Sequence, residues 1–452
     1  MPLESVRPIR KPLRTQLTPV EVARCFRGDQ RPFALIGSWA GGGALLGSRP
    51  IRVLGEGADP FHALTRSPVV EAEPGRLVGG GWFGYLGYGL GRRIETLPPS
   101  PPRPVAMPLF SLAFYDHLVR FDAIDGRWWF EALWSPQRAG ALEERFQVVR
   151  ARLEAPSPPR QHYACEGFVT TPDRDRHIGA VTRAIDYIQA GAAFQMNLCI
   201  RLESSFTGDP LDLFCRGAET LSPPFAGYVS GPWGALASLS PELFLRRSGR
   251  RITTAPIKGT CARASLTPAL DQRERLLASP KNKAENVMIV DLMRNDLGRV
   301  CMPGSIHVPA LARSEPHPGV WHLVSEVTGE LRRDVDDAAL LRATFPPGSV
   351  TGAPKIKAME LISELEATAR EGYTGAIGYV SPVAGVELNV AIRTFELAGE
   401  KAWLGAGGGI VADSDPATEW EECLMKARPL LRSVGAQLNS QGVGDLDVGA
   451  AI

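Results

Sequence analysis

Near the end of the chain, Glu419, Glu422 and Lys426 are spaced i, i+3 and i+7, which places two carboxylates and an ammonium on one face of a helix. Ser414 or Asp415 can cap that helix, and Pro416 suits its first position. Just upstream, Gly405, Gly407, Gly408 and Gly409 read as a glycine loop whose open backbone N–H groups can receive a ligand carboxylate near the helix N-terminus. Another carboxylate, Glu285, lies among Val287, Met288, Ile289, Val290, Leu292 and Met293. A helix apolar almost all round is predicted to be buried, and a buried carboxylate requires a compensating charge or a metal. Nucleotide motifs do not fit: Ile410 stands where a dinucleotide fingerprint needs its third glycine, and GSVTGAPK is too short in spacing for a phosphate loop.

Such groups must be held by regular elements, and the hydrophobic periodicity supplies them. Ile178, Val181, Ile185 and Ile188 mark a helix that Gly191 stops. A strand follows, in which Phe194, Met196, Leu198, Ile200 and Leu202 alternate with a polar face of Gln195, Asn197, Cys199 and Arg201. Earlier, runs around Leu109 to Phe130 predict strands, and Leu142, Phe146, Val149 and Leu153 predict an amphipathic helix. The proline clusters Pro98–Pro104 and Pro156–Pro159 exclude helix and central strand. The second is read as a surface crossing between an N-terminal subdomain, residues 1–160, and a catalytic region, residues 161–435. The polar tail 436–452 has little to bury and is expected to be disordered. The alternation of helices with substantial sheets gives an α+β architecture.

Composition narrows the function classes. In 452 residues, 44% apolar and 22% charged, no run of 18 apolar residues is present to cross a bilayer. A net charge of +1 with scattered arginines gives no reason to expect a nucleic acid partner. Seven cysteines without a CxxC pair read as reduced structural thiols. The N-terminal MPLESVRPIRKPLR has no apolar stretch after its basic residues, so a cytoplasmic location is expected.

Four segments carry a more specific signal: SPELF (240–244) with APIKGT (255–260), AENVMIVDLMRND (284–296), FPPGSVTGAPK (345–355), and the stretch 372–426 containing GYTGAIGY, AIRTF and GAGGGIVADSDPATEWEECLMKA. In this order they resemble the chorismate-utilising enzymes, a family that includes anthranilate, aminodeoxychorismate, isochorismate and salicylate synthases. The resemblance runs from about Phe168 to Leu431. It implies two large, mostly antiparallel sheets packed as a sandwich with helices outside. It also implies that Glu285 and Glu422 hold magnesium bridging to the ring carboxylate of chorismate, with Lys426 close by. Arg393 and Tyr373 match positions that bind the enolpyruvyl carboxylate, a role that suits a planar guanidinium. Thr260, Thr351, Gly407, Gly408 and Gly409 complete the pocket by the same resemblance, and His322 matches a histidine beside the reacting ring.

The hydroxyl of chorismate is a poor leaving group, so a general acid is required. Glu242 in SPELF matches it. Water-adding members carry a lysine base where Gln195 stands here, and glutamine cannot deprotonate water. That leaves the two amine-adding synthases. Anthranilate synthases read PIAGT where this chain reads PIKGT, the pattern of aminodeoxychorismate synthases. A desolvated lysine is a usable nucleophile, so the resemblance implies transient attack by Lys258 and its displacement by ammonia. No glutaminase segment is recognisable, so a separate glutamine amidotransferase subunit is the expected partner. Anthranilate synthase component I is the alternative enzyme, and a non-catalytic chorismate-binding subunit is the alternative of another class. The segment Leu35-Ile36-Gly37-Ser38 lacks the glutamate of the LLES-like run that binds tryptophan in feedback-inhibited members, and Leu221–Phe225 departs from their NPSPY-like run.

Overall fold

Strands alternating in apolar and polar residues assemble into two sheets that face one another across an aromatic core. The computed structural model describes residues 5–71, 77–105, 107–262, 269–317 and 320–439. The larger sheet has 14 strands among the described residues, and at its catalytic end Gln195–Gly208, Lys401–Ile410, Thr394–Ala398, Gly234–Ser240 and Phe225–Gly231 lie side by side. The smaller has 10, beginning with Ile257–Ala262, Val320–Glu330, Arg251–Ala255, Leu243–Ser248, Gly385–Val390 and Ala376–Ser381. The described strand pairings are antiparallel except for Ser5–Leu13 with Val69–Val70, and the isolated bridge Phe168–Leu438 is also parallel. Both sheets contain strands from before and after residue 160, so each is built by the whole chain.

Between the sheets, Phe33 and Leu35 of the larger, with Trp39 in the turn that follows their strand, share a core with Phe83, Tyr115 and Tyr379 of the smaller. The Phe33 and Phe83 rings stack at 4.2 Å. Each such fully buried side chain contributes about 1.5–3 kcal/mol of transfer free energy, so the core favours this face-to-face packing over any splayed one. Helices cover the outer faces. Ala139–Glu154, Pro210–Leu221 and Pro416–Ser433 pack on the larger sheet, and Pro280–Gly298 and Asp337–Thr344 on the smaller. No helix among the described residues is long and apolar enough to cross a membrane. All seven cysteines are free, and five are buried.

The predicted helices appear at Ala139–Glu154 and Arg174–Gln189, the latter ended by Gly191 with φ +79°. Two details differ. Phe194 is 72% exposed and precedes the strand, because its N–H is taken by Ala353 O before the main ladder begins. The helix Pro280–Gly298 is buried on one face only: Ile289, Val290, Met293 and Leu297 pack inward while Val287 is 52% exposed. Glu285 is therefore half-buried, not sealed in an apolar shell. At the C-terminal end, Phe168 N donates to Gln437 O and Asn439 N to Phe168 O, and residues 440–452 of the expected tail lie outside the described residues.

Candidate active site

The glycines read as a loop form a strand instead. Lys401–Ile410 pairs with Gln195–Gly208 in the register Asn197–Gly409, Leu198–Gly408, Cys199–Gly407 and Arg201–Gly405. None of these glycines has positive φ, so the requirement is for space. A methyl on Gly405 would stand 2.3 Å from the Tyr373 ring, and one on Gly407 2.5 Å from Cys199 Sγ. On Gly408 it would stand 2.9 Å from Glu419 Oε2 and 3.6 Å from Glu422 Oε1. On Gly409 it would stand 2.2 Å from Gln195 Nε2 and 3.2 Å from Lys258 Nζ. The bare strand is thus a floor on which Tyr373, Gln195, Lys258, Glu419 and Glu422 converge from different elements.

Lys258 rises from the end strand of the smaller sheet and is half-buried. Burial lowers its pKa below the ordinary ammonium value; Glu285 pulls back most strongly, Lys426 pushes in the same direction as burial, and Glu242 and Glu422 oppose. The neighbouring Gln195 is 1% exposed and its Oε1 has no hydrogen-bond partner among the described residues. A buried amide oxygen without a donor is costly to leave unmade, which favours a ligand there.

Glu242 is 4% exposed in the turn between Gly234–Ser240 and Leu243–Ser248. Its N–H is held by Ser240 Oγ at 3.2 Å and its carbonyl by Val390 N at 3.0 Å. Ser349 donates to Oε1 at 2.5 Å. Burial pushes the carboxyl up to about 7, against the Ser349 bond, the charges of Lys258 and Arg393, and the Ile257 N–H. A carboxyl half-protonated near neutrality is matched to a general acid.

Arg393 has φ +51°, a left-handed conformation that turns the chain between Gly385–Val390 and Thr394–Ala398. Its guanidinium makes no hydrogen bond or ion pair among the described residues, while burial and then Glu242 act on its pKa in opposite senses, with burial prevailing. His322 Nδ1 lies 2.7 Å from Thr260 Oγ1, its register partner across the sheet, and Nε2 is buried without a partner. Burial, then Arg393 and His317, drive the imidazole down to about 3, so His322 is neutral at physiological pH. It is a neutral hydrogen-bonding group within the field of Arg393.

Across the strand floor lie the acidic groups. Asp415 caps the last helix, receiving Thr418 N at 2.8 Å, which leaves Ser414 to donate to Glu419 Oε1 at 2.6 Å. Glu422 pairs with Lys426 at 2.7 Å, and Lys426 also donates to Gly407 O at 2.8 Å. Burial raises Glu422, but Lys426, then Lys281 and Lys258, outweigh it and hold the carboxyl below its usual range. No group of three or more His, Cys, Asp or Glu side chains among the described residues closes on one point. The donor set nevertheless fits a hard cation: Glu419 Oε2 is buried without a partner and stands with Glu422 over Gly408, and Lys426 takes the place of a positive charge on Glu422.

Two buried ion pairs tie these segments together, and the sequence reading missed both. Arg370 forms a salt bridge to Glu366 and donates to Val350 O and Asn197 O, while Glu366 accepts from Cys199 N. Glu396, paired with Arg201, accepts from Gly372 N and Tyr373 N at 2.7 and 2.9 Å. Thr351 spends its hydroxyl on Gly348 O at 3.1 Å and its carbonyl on Asn197 N, so it shapes the Gly348–Val350 turn that carries Ser349. Ser349 and the pairs carry no periodicity signal; only their neighbourhood in FPPGSVTG and around GYTG marks them.

Behind Glu242 and Lys258 lies a cavity of about 510 Å³ whose wall includes Pro241, Ile257, His317, Ser38, Pro224 and Phe225. The two segments that depart from the feedback-inhibited pattern, Leu35–Ser38 and Leu221–Phe225, meet here: Ser38 N donates to Pro224 O at 2.6 Å, and the Trp39 indole packs edge-on to Phe225 at 5.3 Å with its N–H on Ala226 O.

A family model described as chorismate binding enzyme matches residues 50–432. The chain is similar to aminodeoxychorismate synthase component 1 of Klebsiella aerogenes, 39% identical over 358 residues, 78% of this chain and 77% of that protein. It is 37% identical over 430 residues to anthranilate synthase component 1 of Thermus thermophilus, 90% of each chain. Its fold is similar to the crystal structure of anthranilate synthase component I from Streptococcus pneumoniae, with a TM-score of 0.74, 27% identity, and 94% of this chain and 92% of that one covered. The chain belongs to the family of chorismate binding enzymes.

Proposed function

We propose that this chain aminates chorismate at C4 to give 4-amino-4-deoxychorismate, using ammonia supplied by a separate glutamine amidotransferase subunit. The observation that carries the reading is the placement of Lys258 Nζ beside Gly409 and Gln195, with the raised carboxyl of Glu242 acting on the same lysine. Lysine and acid together match an addition with loss of hydroxyl. The similarity to aminodeoxychorismate synthase component 1 supports the same product.

The uncharged Lys258 amine attacks ring C2. The ring double bonds shift and the C4–O bond breaks as Glu242 gives its proton to the departing hydroxyl, which leaves as water. The lysine nitrogen, in becoming the secondary amine, gives up a proton that restores the Glu242 carboxyl. Ammonia then bonds to C4, the double bonds shift back, and the C2–N bond to Lys258 breaks as Glu242 protonates the departing lysine nitrogen; the proton lost by the new C4 amine returns to Glu242. Two such transpositions restore the original ring pattern with nitrogen in place of oxygen. Gln195 cannot take a proton from water, so the same addition with water is disfavoured.

Arg393, whose guanidinium has no protein partner among the described residues, and Tyr373 face the enolpyruvyl carboxylate in this reading. His322, neutral and supported by Thr260, offers Nε2 within the field of Arg393. Glu285 and Glu422 would hold magnesium, with the unpartnered Glu419 Oε2 beside Glu422 over Gly408, and the ion would supply positive charge to the ring carboxylate. Gly407, Gly408 and Gly409 leave room for the ring against the strand.

Anthranilate synthase component I is the second reading, favoured by the 37% identity to the Thermus thermophilus protein. Lys258 is the residue that argues against it. Chromatography and mass spectrometry of the products from chorismate, magnesium and ammonium separate the two: 4-amino-4-deoxychorismate supports the proposal, and anthranilate with pyruvate replaces it by the second reading.

A further inference from the structure

Lys258 sits on an irregularity. The strand Ile257–Ala262 pairs with Val320–Glu330 at Ile257–Val324 and again at Thr260–His322, three steps on one strand against two on the other. The extra residue falls at Lys258–Gly259, and Gly259 has φ +91°, where a side chain would be strained. A bulge of this kind takes backbone groups out of the ladder and re-aims a side chain. The carbonyl so released must find another donor.

That donor is Asn286, one residue beyond Glu285 on the helix Pro280–Gly298. Its Nδ2 donates to Lys258 O at 2.8 Å and to Asn282 O at 2.9 Å. Its Oδ1 accepts from Ser325 Oγ at 3.0 Å. Ser325 in turn accepts from Ala312 N at 2.9 Å, and its own N–H is fixed on Pro256 O at 3.0 Å. Asn286 is 2% exposed and Ser325 is fully buried. The network has one orientation: a flipped amide would oppose its oxygen to two carbonyls and take from the Ser325 hydroxyl the oxygen to which it donates.

We propose that Asn286, oriented by Ser325, is the positioning residue for Lys258, holding the bulge that aims its Nζ at Gly409 and Gln195. Because Asn286 adjoins Glu285, the same helix sets both the reach of the lysine and the place of the carboxylate. The proposal rests on the reading of Lys258 as nucleophile. It goes beyond that reading by assigning the accuracy of attack to a side chain that touches no substrate.

Two substitutions remove the device by different means. Asn286→Asp is nearly isosteric but turns an oxygen toward two carbonyls. Ser325→Ala leaves the bond to Lys258 O and frees the amide to rotate, and it serves where Asn286→Asp does not fold. In the full chain with chorismate, magnesium and ammonium, Asn286→Asp is expected to lower kcat about a hundredfold with the chorismate KM within about twofold, since displacement of a reacting group by roughly an ångström costs that much. Ser325→Ala is expected to lower kcat about tenfold. In both, the rate at which an amine-directed reagent modifies Lys258 at fixed pH, read by peptide mass spectrometry, changes from that of the unmutated chain. Unaltered Lys258 modification, or kcat and KM worsening together with a lowered melting temperature, would overturn the proposal. A Lys258→Ala arm separates the two levels. If it retains 4-amination, the nucleophile reading itself is wrong; if it loses 4-amination while Asn286→Asp and Ser325→Ala keep full kcat, that reading stands and the positioning role is wrong.

Discussion

Ser349 donates its hydroxyl proton to Glu242 at 2.5 Å, the only side-chain hydrogen bond found to this carboxyl among the described residues. The bond favours the ionised form, as do Lys258, the Ile257 N–H and Arg393, and burial still prevails, raising the carboxyl to about 7. A general acid acts from its protonated form. The kcat/KM for chorismate, measured at constant free ammonia, should therefore fall as pH rises through about 7. Ser349→Ala removes one influence that lowers the pKa, so its descending limb should move up by about one pH unit, the worth of one such bond. A limb that stays in place in Ser349→Ala would detach Glu242 from the acid role.

Gly409 tests the strand floor. With a methyl 2.2 Å from Gln195 Nε2 and 3.2 Å from Lys258 Nζ, Gly409→Ala must displace both side chains. Overpacking of this kind costs about 1–3 kcal/mol of stability, a modest fall in melting temperature. The kcat/KM should fall by about a hundredfold or more, because the reacting nitrogen is moved. Wild-type activity in this variant would place the lysine's work elsewhere.

The acidic groups give a metal prediction. If Glu285 and Glu422 hold magnesium as proposed, Glu285→Gln and Glu422→Gln each remove an anionic oxygen ligand, so both should need much more magnesium, with turnover lost at limiting concentrations. Glu422→Gln also releases Lys426 from its 2.7 Å ion pair, so chorismate binding should weaken further in that variant. Near-normal activity of either variant at limiting magnesium counts against these ligands, and a chelator without effect on the unmutated chain counts against the metal.

How far the site was legible depended on the kind of signal. Glu242, Lys258, Glu285, Arg393 and Glu422 were singled out because they stand in motifs that resemble those of the family, not because any periodicity marks them. The strand Gln195–Gly208 was found because its alternation is strict. The glycines of 405–409 were read as a loop because glycine weakens strands, yet here each is required by a side chain lying over it, a tertiary constraint that local propensity does not express. The burial of Glu285 was overestimated because composition within a helix does not say which face meets the sheet; Val287, exposed on the same helix, shows the error. Ser349 and Asn286 act through partners distant in sequence, as Asn286 does on Lys258, and the Glu366–Arg370 pair, though only four residues apart, does its work on Asn197 and Cys199, which no spacing rule reaches.

The chemistry attributed to Lys258 is tested most directly by withholding ammonia. With chorismate and magnesium alone, the account predicts a fraction of the chain carrying one chorismate less one water, located on Lys258 by peptide mapping after rapid quenching. Lys258→Ala should carry no such adduct and should lose 4-amination by several orders of magnitude, with any residual product bearing nitrogen at C2, the position left unprotected. Undiminished 4-amination by Lys258→Ala would contradict the account at its centre.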